Sequence, residues 1–291
     1  MALLAKRVWI LLGFLWSVGC ATLPNGTNKE LEVTQKASAE FVTVPSLASS
    51  GIVPFTYKQQ MAHGEWIACK NKDAKATVLM MHSDRAGFAK DKFCAGWMAQ
   101  TFLASGYSVV TLNRPGYGGS DGEPDFIGAE SILSMGIVIP AALSTAGLPP
   151  VSVVWGYETG ATAAALAAKK LGGVKTAILG GGVYDYDETL RNTGDEYLKT
   201  DLTAIKRAGG DKAFEDRSIA YDLNGLPPNI VIYHGTDDKA VPLSQAKAFH
   251  DSLVSNGHFR VTYQVVVGQG HELPWLYHRH LLEALLRQPT Q

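Results

Sequence analysis

Three groups of side chains in this sequence have the types and spacing to do chemistry together. Glu158 sits between Gly156 and Gly160, Asp237-Asp238 follows His234-Gly235, and His271 follows Gly268-Gln269-Gly270. An acid that fixes a histidine, and a histidine that moves a proton, form the relay used in nucleophilic hydrolysis. The Gly-x-Glu-x-Gly run at 156–160 has the form of a Gly-x-Ser-x-Gly turn, in which small residues let a strand turn sharply into a helix and lift one side chain into a pocket. Taken singly, an aspartate in a turn or a histidine near a helix start is ordinary turn or cap chemistry. Their order, each just after an apolar β-prone run, makes them a candidate site.

Glutamate at the apex changes the chemistry on offer. A carboxylate is already charged at neutral pH and needs no base to release it. As a nucleophile it would attack an sp³ carbon and form an ester, which His271 and a water could hydrolyse. Attack on an ester or amide would give a high-energy anhydride, so acyl substrates fit poorly. A second route uses Glu158 as a general base for water. In a third reading the site is silent: Glu158 pairs with His271 and its charge repels any developing oxyanion, while Asp238 and His271 persist as a buried network. No nearby serine substitutes, because Ser152 lies within the strand. The retained acid and histidine favour an enzyme over a binding protein or an envelope scaffold with a vestigial pocket.

The elements needed to position these residues are legible. The apolar run at 76–82 reads as a strand covered on both faces, 108–112 and 151–155 as buried strands, and 174–179, 229–233 and 260–267 as further strands. Residues 52–58 and 65–70 read as two shorter strands. Helices are expected at about 90–104, 129–145, 159–171, 244–256 and 274–287. This alternation predicts an α/β fold with a mostly parallel sheet covered by helices on both faces. The pattern breaks over about 184–226, a polar, helix-prone stretch too short for its own core, and a small lid is expected there.

With Met81-His82-Ser83 and Asn113-Arg114-Pro115-Gly116-Tyr117-Gly118 added, the chain from about Gly51 to Arg287 resembles the α/β-hydrolase superfamily. The family's order is nucleophile, acid, histidine. The resemblance therefore implies Glu158 in the nucleophile place, Asp238 rather than Asp237 as the acid, and His271 as the base. It also implies oxyanion donors from the backbone of Thr159 and of Ser83 or Asp84. His82, Tyr117 and His234 are expected to shape the pocket, and His278 and His280 on the last helix need no functional role. Thr159 stands where the family's dehalogenases carry a halide-binding Trp. Its epoxide hydrolases use lid tyrosines as acids, and Tyr184, Tyr186, Tyr197 and Tyr221 fall in the lid segment.

The N-terminus is not part of this fold. Lys6 and Arg7, an apolar run from Val8 to Trp16, and small residues before Cys20 read as an export signal over 1–20. The segment resembles a bacterial lipoprotein signal with Cys20 as the lipidated residue, although Ser17 replaces the usual leucine; an ordinary signal peptide cleaved near Ala21 is the alternative. Residues 21–50 read as a flexible tether and 51–291 as the folded domain. The expected location is the cell envelope, lipid-anchored and facing the periplasm or exterior. In that oxidising setting Cys69 and Cys94 could pair, and two buried free thiols fit equally. The 291 residues carry a formal net charge of −1, which gives no electrostatic reason to expect nucleic acid as a partner. The expected partners are a small-molecule substrate and, through the anchor, a membrane. Nothing implies a cofactor or a metal.

Overall fold

The computed structural model describes residues 43–258 and 260–286. The export signal, Cys20 and most of the tether lie outside the described residues. The domain is built on eight strands: β1 (Leu47–Tyr57), β2 (Gln60–Lys70), β3 (Thr77–Met81), β4 (Ser108–Asn113), β5 (Val151–Tyr157), β6 (Thr176–Gly180), β7 (Asn229–Gly235) and β8 (Arg260–Val266). They form one sheet in the order β1-β2-β4-β3-β5-β6-β7-β8. The β1–β2 and β2–β4 pairs are antiparallel, and every pair from β4–β3 to β7–β8 is parallel. Strands β3 and β4 are buried at every position, as expected where helices cover both faces.

Helices α2 (Ala129–Ala146), α3 (Thr159–Leu171) and α6 (Leu243–Ser255) share one apolar core with one face of the sheet. On the other face, α1 (Trp97–Ala104) packs against α7 (Trp275–Leu286) over a second core that includes Met80, Trp155 and Tyr233. The α/β fold expected from the alternation of elements is the one observed. Between β6 and β7, α4 (Tyr186–Asn192) and α5 (Glu196–Glu215) close a smaller cluster with Tyr186, Leu198, Leu202 and Phe214. Asp185 and Asp195 cap these two helices, accepting from the amides of Glu188 and Leu198 at 3.0 and 2.8 Å.

Two boundaries differ from the sequence reading. Strand β1 begins at Leu47, inside the expected tether, and its pairing runs from Leu47 opposite Lys70 to Tyr57 opposite Gln60. Most of this edge strand is exposed or half-buried, so Ala48, Ser49 and Ser50 carry no apolar alternation to announce it. The helix expected from residue 90 starts only at Trp97. Cys94 is bonded to Cys69 of β2, and the Gln100 side-chain amide donates to the Cys94 carbonyl at 2.6 Å. Both ties hold residues 89–96 in turns against the sheet. The two cysteines are thus a disulfide, with Cα atoms 5.5 Å apart.

Candidate active site

The elbow is built by the closest backbone approach in the fold. A Cβ on Gly156 would stand 1.9 Å from the Gly160 carbonyl oxygen, and one on Gly160 would stand 2.7 Å from that of Met81. Only glycine permits this packing of α3 on β5 and β3. Between them Glu158 adopts φ 57°, ψ −128°, a region a non-glycine residue occupies at a cost of about 1–3 kcal/mol. Its backbone is held on both sides: its N–H donates to Gly180 O at 3.0 Å and its carbonyl accepts from Ala161 N at 3.0 Å. The side chain is 5 % exposed.

Asp238 and His271 arrive from the ends of β7 and β8. Asp238 Oδ1 accepts from the amides of Ala240 and Val241 at 3.0 and 2.8 Å. Its Oδ2 accepts from His271 Nδ1 at 2.8 Å and lies 3.2 Å from His234 Nε2. His234 Nε2 also donates to Val241 O at 2.7 Å, so this buried ring clamps the turn that carries the acid. Asp237 takes only a hydroxyl hydrogen from Thr236. The structure therefore brings Asp238, not Asp237, to the histidine. Burial pushes the Asp238 carboxyl up, but the hydrogen bonds from His234 and His271 outweigh it and hold it at about 2. Burial likewise pushes His271 down, and its bond to Asp238 with the nearby Glu158 carboxylate raises it to about 9. Both carboxylates favour the protonated ring, whose Nε2 lies 4.0 Å from Glu158 Oε2, close enough for charge but not for a hydrogen bond.

Beneath the ring, Tyr157 donates to the His271 carbonyl at 2.6 Å. Tyr233 accepts from Trp155 Nε1 at 3.1 Å, and its hydroxyl meets His278 Nδ1 at 3.0 Å. His278, held down at about 4 by burial, belongs to this aromatic floor.

The β3 side of the site departs from expectation. Thr159 is the first residue of α3, so its N–H has no partner within the helix. Ser83 lies in the loop after β3, beside it. The Asp84 amide, however, donates to Thr159 Oγ1 at 2.9 Å, which removes Asp84 as an oxyanion donor in this conformation. The reason is local: a threonine after the apex offers a hydroxyl acceptor at the donor's own position. Asp84 is further fixed by buried Arg114, whose Nη1 donates to Oδ1 at 2.7 Å and whose Nη2 donates to His82 O at 3.0 Å. Tyr117 donates to Asp84 O at 2.7 Å. His82 accepts from the Arg114 amide at 3.0 Å and is held at about 3 by burial and the neighbouring guanidinium.

Arg85 is the residue that sequence reasoning missed. Its Nε donates to Glu158 Oε1 at 3.3 Å and its Nη2 to Asp195 Oδ2 at 2.7 Å, joining the elbow to the N-cap of lid helix α5. The available signal was a lone cation directly after the expected oxyanion loop, facing a lid rich in aspartate. Two cavities meet at Glu158. The one under the lid, about 310 Å³, is lined by Arg85, Phe126, Tyr186, Leu198, Asp201 and Ile205 among others. The other, about 390 Å³, is lined by Met80, Phe88, Phe93, Trp97, Trp155 and Tyr157 and is bounded by the segment that the disulfide holds. Of the lid tyrosines, Tyr186 and Tyr197 face the first cavity. Tyr184 instead stacks on Phe249, and Tyr221 bonds to Asp185. Among the described residues no group of three or more His, Cys, Asp or Glu side chains is arranged to hold a metal ion.

This sheet, with its covering helices, recurs in solved structures. A puromycin-hydrolyzing peptidase from Mycobacterium tuberculosis superposes with a TM-score of 0.62 at 16 % identity, over 87 % of this chain and 40 % of its own. The fold is that of the α/β hydrolases. An acylaminoacyl peptidase from Pyrococcus horikoshii gives 0.64 at 12 % identity, over 82 % of this chain and 40 % of its own. An esterase from Pyrococcus furiosus gives 0.57 at 15 % identity, over 90 % of this chain and 97 % of its own. The chain thus spans about two fifths of the length of those peptidases and nearly all of the esterase. The prolyl oligopeptidase family model matches residues 152–287, less than half of the chain, from within β5 through the elbow to the last helix. No curated protein matches the sequence.

Proposed function

We propose that the protein hydrolyses a small organic substrate at an sp³ carbon, with Glu158 as a carboxylate nucleophile and an epoxide as the best-fitting class. The observation that carries this reading is an intact Asp238–His271 pair aimed at the free oxygen of Glu158, where two cavities meet. The acyl chemistry named for the structural neighbours does not transfer, because a glutamate acyl-enzyme is an anhydride. In the first step Glu158 Oε2 bonds to the ring carbon and the C–O bond breaks. The His271 imidazolium then gives its proton to the leaving alkoxide. Neutral His271 next takes a proton from water, and hydroxide adds to Glu158 Cδ. Collapse expels the diol, which takes the carboxyl proton, so the balance is epoxide plus water to diol. Tyr186, whose ring lines the lid cavity, would hydrogen-bond the leaving oxygen.

The test is a single turnover of styrene oxide in ¹⁸O-water. Label entering Glu158 rather than the first-formed diol supports the carboxylate nucleophile, with Glu158→Gln losing about a thousandfold or more in rate. Absence of turnover across epoxides, alkyl halides and activated esters, with esterase activity gained only in Glu158→Ser, overturns it. One observation favours a second reading, a silent ligand-binding protein: Arg85 already neutralises Glu158 in the resting site.

Export and lipidation at Cys20 are part of the same proposal. The Cys69–Cys94 disulfide supports an oxidising compartment. If Cys20→Ala leaves processing and membrane association unchanged, the anchor is wrong.

A further inference from the structure

The cavity under the lid holds more carboxylate than its cations offset. Asp84 is matched by Arg114 at 2.7 Å, and Asp238 by His271 at 2.8 Å. Arg85 alone serves both Glu158 and Asp195, at 3.3 and 2.7 Å. Asp201 lines the same cavity from α5 and makes no hydrogen bond or ion pair with any described residue. Its carboxyl is raised, first by burial, then by Asp84, Glu158 and Asp195, with Arg85 opposing.

One buried polar group in this cavity also lacks a partner. Tyr186, 1 % exposed, has a hydroxyl without a hydrogen-bond partner. Buried polar atoms left in this way are costly unless something fills the site. The remaining walls are apolar: Phe126, Leu198, Leu202 and Ile205. At about 310 Å³ the space is at the small end of sites for organic ligands.

We propose that this cavity binds a protonated amine with a compact apolar body, its ammonium held by Asp201 and Glu158 and its body by the α5 side chains. An anion is a poorer fit, because the one guanidinium that reaches the cavity is already shared between two carboxylates. A neutral ligand leaves Asp201 without a counter-charge. In this view Arg85 occupies, from within the chain, the place of the ligand's cation. The inference names the ligand class of the site proposed above, and rests on that reading only in placing the ammonium beside a reactive carboxylate.

The experiment is calorimetric titration of the intact protein at neutral pH with benzylammonium and, separately, with benzyl alcohol. Benzylammonium binds at least about tenfold more tightly than the alcohol, and added salt weakens only the ammonium. Asp201→Asn lowers the ammonium affinity about tenfold, the scale of one charge-assisted hydrogen bond. Arg85→Gln raises it severalfold by removing the internal competitor. Equal affinity for amine and alcohol, no binding of the amine, or an unchanged affinity in folded Asp201→Asn overturns the proposal. If Asp201→Asn does not fold, the alcohol comparison and the salt series on the wild type still decide. No turnover enters these measurements, so a failure of the epoxide reading leaves them interpretable, and the reverse holds.

Discussion

On the β7–β8 side of Glu158, both oxygens of the acid are engaged: Asp238 takes two backbone amides, one histidine squarely and a second at longer range. On the β3 side the backbone donors are partly withdrawn, and a long side chain, Arg85, supplies the positive charge instead. The first half is short-range, buried and redundant. The second depends on one half-exposed guanidinium that also ties down the lid. The relay half is therefore a fixed part of the domain, and the nucleophile half is an adjustable contact between domain and lid.

Three measurements separate the halves. The largest effect belongs to the relay: Asp238→Asn strips His271 and His234 of a buried counter-charge and costs about 3 kcal/mol in denaturant unfolding. NMR titration of the same variant shows His271 falling from about 9 towards the ordinary imidazole range. A stability loss no larger than that of a surface substitution would erase the distinction between the halves.

Next is the pH dependence of stability. His271 holds its proton more tightly folded than unfolded, so its contribution is whole below about pH 6.5 and is lost as pH rises through about 9. The loss is on the order of 3 kcal/mol. Asp238 acts in the opposite sense: its contribution is present above the ordinary carboxylate range and is lost as pH falls towards about 2. Thermal unfolding followed from pH 6 to 10 reads the first window, and a flat profile there would contradict it. If the imidazolium is the acid in turnover, activity also declines above pH 9.

The smallest effect is at Arg85. Its ion pairs are half-exposed, so Arg85→Gln changes global stability by less than about 1 kcal/mol. Hydrogen exchange in the first turn of α5 nevertheless accelerates, because the Asp195 cap loses its tie to the elbow. Unchanged exchange there would mean that the lid is held by its apolar cluster alone.

The relay half was the more legible in sequence for the same physical reason. Asp238 and His271 are placed by backbone: each follows a β-strand, buried β7 and half-buried edge strand β8, so strand runs and turn residues locate them. Gly156 and Gly160 were readable because only their close approach permits the elbow. Arg85 was not readable, because its partners lie 73 and 110 residues away and are chosen by a flexible side chain. The Asp84 amide failed differently: a side chain 75 residues away in sequence, Thr159, took a donor that the motif assigned to substrate. The edge strand from Leu47 escaped because an exposed strand needs no alternation.

The elbow's geometry also bears on how this protein could have come to differ from its structural neighbours. Gly156 and Gly160 are immovable, since any side chain would strike backbone. Position 158 is the reverse. Its left-handed backbone strains every residue except glycine alike, so serine, aspartate, cysteine and glutamate can be exchanged there with the frame unaltered. The apex side chain is thereby a replaceable part: a substitution at this one position changes the chemistry on offer while Asp238 and His271 stay where they are.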